Sequence, residues 1–285
     1  MKRAIKLVLY WGIYNVICSS LLILFQHYFP TFVTANHITS ISITNILPNL
    51  FILWHIIHFN YVKFNQESFT EVPSKTIWLS LPFIIAGMLF FNLCNEFLEL
   101  PNQLEDLFLG MSRNVFGIFS IVIMAPLVEE LLFRSAIEGH LLKQGKNPVI
   151  AILISSLMFG IVHLNPAQIP FAFAIGMIFG WLYYRTGSVV PGIIGHFINN
   201  SIACLQMATL TEEEFNTKTI EWLGEGPTYA LFTISLAVMI GMFLYLKKRL
   251  PIAPDYTSLS CHPEQSEDVL LSEIENSVNI NEVNK

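Results

Sequence analysis

Charge is what this sequence has least of. Only 13% of its 285 residues are Asp, Glu, Lys or Arg, against about 25% in an average soluble domain. So few polar residues cannot coat a soluble surface, and there is no basic excess to hold nucleic acid. Cysteine is scarce as well. Cys18, Cys94, Cys204 and Cys261 stand alone in sequence, with no C-x-x-C pair, which excludes a disulfide scaffold and cysteine zinc sites. They read as small apolar fillers plus one tail thiol. Aspartate occurs only at Asp106, Asp255 and Asp268, too dispersed for a paired-aspartate site. There is no H-E-x-x-H zinc face and no G-x-S-x-G elbow.

Apolar residues fill the space, at 53% of the chain. A bilayer core of about 30 Å takes about 20 mainly apolar residues per helix. Eight such spans are expected, at roughly 5–25, 40–60, 76–94, 114–134, 148–165, 168–185, 189–210 and 228–246. The first follows Lys2, Arg3 and Lys6 as a signal peptide would, but no small-residue cleavage site follows Phe25, so it reads as an uncleaved helix. The fold class is therefore all-α, a polytopic transmembrane helix bundle.

The few charges orient it. Residues 251–285 hold seven acids and only Lys285, which accounts for the whole net charge of −6, while 1–250 hold 14 acids and 14 bases. With the N-terminus inside, all the body's bases except Arg113 and Lys218 fall on cytoplasmic segments. This positive-inside bias predicts an N-in/C-in topology. Segment 95–113 reads as a loop with a short interfacial helix. The Ser-, Glu- and Asn-rich tail reads as disordered. The expected organisation is 1–113, three spans and the interfacial segment; 114–210, a four-span core; 211–250, an acidic outer loop and the last span; and 251–285, the cytoplasmic tail.

Ionisable groups at membrane depth are costly, rare and usually functional. Here they concentrate between residues 126 and 200. In Pro126-Leu-Val-Glu129-Glu130-Leu-Leu-Phe-Arg134, Glu130 and Arg134 are four apart and can pair on one helix face. Glu129 is rotated by about 100° and has no partner on its own helix. A solvated helix end is the alternative, although Leu131, Leu132, Phe133 and Ile137 continue the apolar pattern. Phe159-Gly-Ile-Val-His163 places one His on the next span, where a structural hydrogen bond is the plainer role. His196 and Asn200 lie a turn apart on one face, either to hold one ligand atom or to bond neighbouring helices. Of the weaker features, His55 and His58 read as interfacial, Gly176-x-x-x-Gly180 as a close helix approach, and Tyr183-Tyr184-Arg185 as an interfacial anchor.

E-E-x-x-x-R, then F-x-x-x-H, then H-x-x-x-N on successive membrane helices resembles the CPBP family, also called the CAAX-protease, bacteriocin-processing or Abi family, whose eukaryotic members are type II CAAX prenyl endopeptidases. The resemblance covers about residues 115–205, with Tyr184-Arg185-Thr-Gly187-Ser188-Val-Val-Pro191 as the approach to the last motif. It implies an intramembrane endopeptidase in the bacterial cytoplasmic membrane, acting on a membrane-associated or lipidated protein or peptide. Glu129 suits the general base, His163 the residue that orients the water, and His196 with Asn200 the oxyanion donors. Glu130 and Arg134 then form a structural clamp, with Phe159 beside them. Family members are often named metalloproteases, and Glu129, His163 and His196 could form a three-ligand zinc site. Asn is an unusual zinc ligand, so metal-free glutamate catalysis is the preferred reading. An immunity or scaffold protein of the same fold, or a proton-coupled transporter, are the alternatives. No inverted repeat supports the transporter. Nothing in the pattern specifies the substrate or an oligomeric state.

The spacing also sets a geometric condition. At 1.5 Å per residue, His163 lies about 22 Å along its helix from Pro148, and His196 about 12 Å from Ser188. A shared site requires helices that tilt differently or start at different depths.

Overall fold

The computed structural model describes residues 2–62 and 72–253, without the side chain of Glu212. Segment 63–71, with Lys63, and the tail from residue 254 onward lie outside the described residues, so the expectation of a disordered tail falls there too.

The described residues form helices joined by turns and short loops, with no β-strand among them. The helices are α1 (Lys2–Tyr28), α2 (Pro30–Ala35), α3 (His37–His58), α4 (Ser74–Glu96), α5 (Glu105–Ser112), α6 (Val115–Lys143), α7 (Pro148–Ile161), α8 (Ile169–Thr186), α9 (Val190–Thr209), α10 (Glu212–Asn216), α11 (Thr219–Leu223) and α12 (Glu225–Arg249). Each segment expected to span carries one of them. Among the described residues, α1, α3, α4, α6 and α12 are long and apolar enough to cross a membrane, while α7 is apolar but only 14 residues long. The architecture is a polytopic helical bundle.

Local chemistry sets the helix ends. Asn114 caps α6 by accepting from the backbone N–H of Phe116 and Gly117, and Asn147 caps α7 by accepting from Val149. Prolines open α2 and α7, where their missing N–H costs nothing. Gly187 ends α8 at φ +70°, a left-handed position that a side chain would strain.

Two ends differ from the sequence expectation. Helix α6 runs to Lys143 rather than stopping near 134, and α7 stops at Ile161. The first difference follows from packing. From Val128 to Leu142 α6 is buried nearly all round, with Leu131, Leu132, Phe133, Ala136 and Ile137 fully enclosed, so the helix continues inside protein, not water. Helix α7 lies along α8 and against α6, α9 crosses α6 and α4, α12 lies along α4, and α1 along α3. Exposed Leu9, Ile13, Val16, Leu21 and Ile23 on α1 supply apolar surface for a bilayer.

Helix α6 is not uniform. Phe119–Met124 and Leu131–Gly139 are wound as π-helix, on either side of the regular turn Ala125–Glu130. Wider π turns shift the register by one residue and often occur at functional sites.

Candidate active site

The regular turn of α6 presents Glu129 and Glu130 to α9. His196 sits between them, its Nε2 3.9 Å from Glu129 Oε2 and its Nδ1 3.4 Å from Glu130 Oε1. All three side chains are buried. Glu130 in turn accepts from Arg134 Nε at 3.1 Å. The guanidinium also donates through Nη1 to Ser155 Oγ at 2.9 Å, and Ser155 donates to the Phe133 carbonyl at 2.8 Å. The chain Arg134–Glu130–His196–Glu129 thus links α6 and α9, with Ser155 of α7 holding its far end.

Phe159 is the hinge of the site. Its ring meets His163 edge-on at 5.1 Å, His196 edge-on at 5.6 Å and the Arg134 guanidinium at 5.0 Å. Phe179 stacks on the other side of His196 at 6.0 Å. Both imidazoles therefore pack on one ring, and both line a cavity of about 90 Å³ with Phe171, Ile175, Asn199 and Asn200. The residues of the three motifs converge, so α7 and α9 start at different depths or tilt differently.

The chain end of α7 explains how His163 is held. The backbone N–H of Val162 bonds to Met158 and that of His163 skips back to Gly160. This skips the Phe159 carbonyl, which is taken by His163 Nδ1 at 2.8 Å. A carbonyl accepts only, so Nδ1 carries a hydrogen, which makes Nε2 the acceptor in the neutral ring.

Asn200 is held by the π turn. The N–H of Ala125 bonds to the Ser120 carbonyl, five residues back. In that register the Ile121 carbonyl would pair with residue 126, which is a proline and has no N–H. Asn200 Nδ2 donates to that carbonyl at 2.9 Å, and Asn199 donates to Asn200 Oδ1 at 3.1 Å. One hydrogen of the Asn200 amide is committed to α6, and the side chain lines the cavity beside His196.

Several participants escaped the motif reading. Glu138 is fully buried, with Oε2 4.0 Å from Arg134 Nη1. Its spacing of four from Arg134 was the available signal. The glycines mark where helices close over these charges. A Cβ at Gly192 would lie 2.6 Å from Glu130 Oε2, one at Gly180 2.6 Å from Glu138 Oε2, and one at Gly176 3.3 Å from Arg134 Nη2. The Gly176-x-x-x-Gly180 approach is thus a seat for the buried ion pairs. His55, read as interfacial, is buried and bonds to Tyr14 Oη at 2.8 Å, remote from the motif residues.

Among the described residues, no three His, Cys, Asp or Glu side chains are grouped to hold a metal ion, and Glu129, His163 and His196 are no exception.

Residues 111–202 match the family described as type II CAAX prenyl endopeptidase, Rce1-like. Over 128 residues the chain is 30% identical to the UPF0177 protein YxdF of Lactococcus lactis subsp. lactis (strain IL1403), covering 40% of this chain and 70% of that protein. The chain belongs to the Rce1-like family. It is also 36% identical over 154 residues to the protein named membrane peptidase YdiL of Bacillus subtilis (strain 168), covering 49% of this chain and 62% of that one. It is 32% identical over 110 residues to the membrane-embedded CAAX protease MroQ of Staphylococcus aureus (strain USA300), covering 37% and 44%. The chain thus spans less than two thirds of the length of YdiL and MroQ. No solved structure matches it. All the motif residues fall within the Rce1-like region, and the chain is a multi-pass integral membrane protein.

Proposed function

We propose that this Rce1-like protein is an intramembrane endopeptidase that hydrolyses a peptide bond of a membrane-associated protein or peptide. The observation that carries the proposal is the buried sequence Arg134–Glu130–His196–Glu129, set beside a His163 whose Nε2 is free to accept. Residues 114–210 are assigned as the catalytic core, in a chain with eight spans and both termini cytoplasmic.

Glu129 takes a proton from the attacking water, since a carboxylate withdrawn from water is the stronger acceptor. His163 Nε2 accepts a hydrogen bond from the same water and aims its lone pair. Attack on the scissile carbonyl places negative charge on its oxygen. The second Asn200 N–H, and His196 when Nε2 holds a proton, donate to that oxygen, each worth about 3–4 kcal/mol. Collapse of the intermediate breaks the C–N bond, and the proton held by Glu129 passes to the leaving amine. No step runs through a metal.

The test is cleavage-site mapping by mass spectrometry on membranes carrying the wild-type chain or Glu129→Gln. New peptide termini should appear with the wild type alone and persist under a strong zinc chelator. Identical termini with both chains would end the reading. Loss under chelation, reversed by zinc and matched by stoichiometric metal, would replace metal-free catalysis with a zinc mechanism.

A further inference from the structure

Glu138 has no part in the hydrolysis described above, yet it is a carboxyl buried in the middle of the bundle, with no surface exposed. Such a group is expensive to keep. Neither of its oxygens has a hydrogen-bond partner among the described residues. Its nearest charge is Arg134, at 4.0 Å from Nη1. Gly180 of α8 packs directly on its Oε2, where any Cβ would collide. The bundle thus makes room for this carboxyl.

The way Arg134 is used shows what the carboxyl does. Nε and Nη2 of an arginine form one edge of its fork, which suits both oxygens of a carboxylate. Glu130 does not close on that edge. Its Oε2 takes Nε at 3.1 Å, and its Oε1 lies 3.4 Å from His196 Nδ1, an ion-pair approach without a formed hydrogen bond; Nη2 has no hydrogen-bond partner either. At the opposite end of the guanidinium, Nη1 is held by Ser155 and faces Glu138. Two carboxyls, one turn before and one turn after Arg134, pull it in opposed directions.

We propose that Glu138 is a positioning residue for His196, acting through Arg134 and Glu130. By drawing the Nη1 end toward itself, alongside the Ser155 bond, it keeps the guanidinium from closing its fork on Glu130. Glu130 Oε1 is thereby left for the imidazole. Without the Glu138 carboxyl, Arg134 turns, both Glu130 oxygens engage Nε and Nη2, and His196 Nδ1 loses the carboxylate oxygen that faces it. The ring then no longer aims Nε2 at the reacting group. The catalytic part of this inference rests on the proposed peptidase reaction. The coupling between Glu138 and His196 does not.

The experiment is therefore read at two places. Full-length protein in lipid nanodiscs is labelled with ¹⁵N-histidine, and the ring nitrogens of His196 are followed in the wild type, Glu138→Gln, Glu138→Asp and Glu130→Gln. Glu138→Gln should move the His196 ring signals toward those of Glu130→Gln, with Glu138→Asp between it and the wild type. The double variant Glu130→Gln/Glu138→Gln should match Glu130→Gln alone, because the two act in series. In turnover, Glu138→Gln should lower kcat about tenfold or more at a KM within about threefold of wild type. Unchanged His196 signals in a folded Glu138→Gln protein would overturn the proposal, as would a kcat loss that only tracks a loss of thermal stability. If the wild type cleaves nothing, the peptidase reading fails and the ring signals still decide the coupling.

Discussion

His163 and Phe159 are joined twice. The imidazole Nδ1 donates to the Phe159 carbonyl at 2.8 Å, and the two rings meet edge to face at 5.1 Å. The first contact fixes the tautomer and the second fixes the ring plane. His163 is therefore an oriented acceptor at the end of a helix, in contact with the ring that also packs on His196.

In the proposed mechanism His163 acts on the water, besides closing its own helix end on the Phe159 carbonyl. It is only half-buried, so truncation leaves no large cavity. His163→Ala should lower kcat by about 10²–10⁴-fold, the range of general acid–base assistance, while the melting temperature barely moves. Steady-state turnover beside a thermal-shift measurement in detergent checks both halves. Activity close to wild type would remove His163 from the water-orienting role.

Asn200 holds the Ile121 carbonyl, and the proposed mechanism gives it a second duty that can be separated from the first. Asn200→Ala strips the Ile121 carbonyl of its partner, an orphaned polar group that costs about 1–3 kcal/mol, and also removes an oxyanion donor, a loss of about 10²–10³ in kcat. Pro126→Ala restores an N–H in the register that Ile121 needs. The double variant Pro126→Ala/Asn200→Ala should recover stability but not turnover. Recovery of both would show that Asn200 serves the helix alone.

The contrast between Glu130 and Glu138 shows what was legible beforehand. Charges inside an apolar chain stand out, and the four-residue spacing of Glu130 and Arg134 can be read from letters alone. Glu138 has the same spacing on the other side of Arg134, but the hydrophobic pattern placed the end of the span near 134 and the residue among cytoplasmic ones. Only packing reveals that α6 stays enclosed as far as Leu142. The π turns were equally hidden, because π and α registers share the same apolar periodicity over a few residues. The role of Pro126 exists only in the π register. The convergence of His163 and His196 goes with α7 stopping at Ile161, beside Gly160, where the chain turns through Leu164 at φ +51°, a left-handed position its side chain does not announce.

Gly192 tests the seat of Glu130. A methyl there would fall 2.6 Å from Glu130 Oε2, well inside van der Waals contact, and would push the carboxylate away from both Arg134 and His196. Gly192→Ala should lose most turnover. Gly12 in α1 is the control, since nothing lies within 4 Å of its added Cβ. Gly12→Ala should leave turnover unchanged and gain about 0.5–1 kcal/mol of helix stability. Equal activity in the two variants would mean that the Glu130 position is not critical.

The segment between α9 and α12 offers a prediction in pH. Glu99 is held below the ordinary carboxylate range by its hydrogen bond to Lys218, and the same pair raises the Lys218 ammonium. Glu214 is held down by the Thr211 backbone N–H and hydroxyl, in a capping box at the start of α10. A carboxyl lowered on folding stabilises the fold above its unfolded value, about 4.3 for Glu, and that stability is lost as pH falls through the folded value. A raised lysine stabilises below its unfolded value, about 10.4, and loses that contribution as pH rises through the folded one. Residues 211–223 should therefore be most ordered from about pH 5 to pH 10, with looser ends on either side. All of these groups are exposed and screened by salt, so the effect should be small and should shrink in high salt. Hydrogen exchange, corrected for the intrinsic pH dependence, reads it segment by segment. In Glu99→Gln the amides around Lys218 should stop responding near pH 4, while those following Thr211 still respond. A flat profile in the wild type would mean that these pairs do not order the segment.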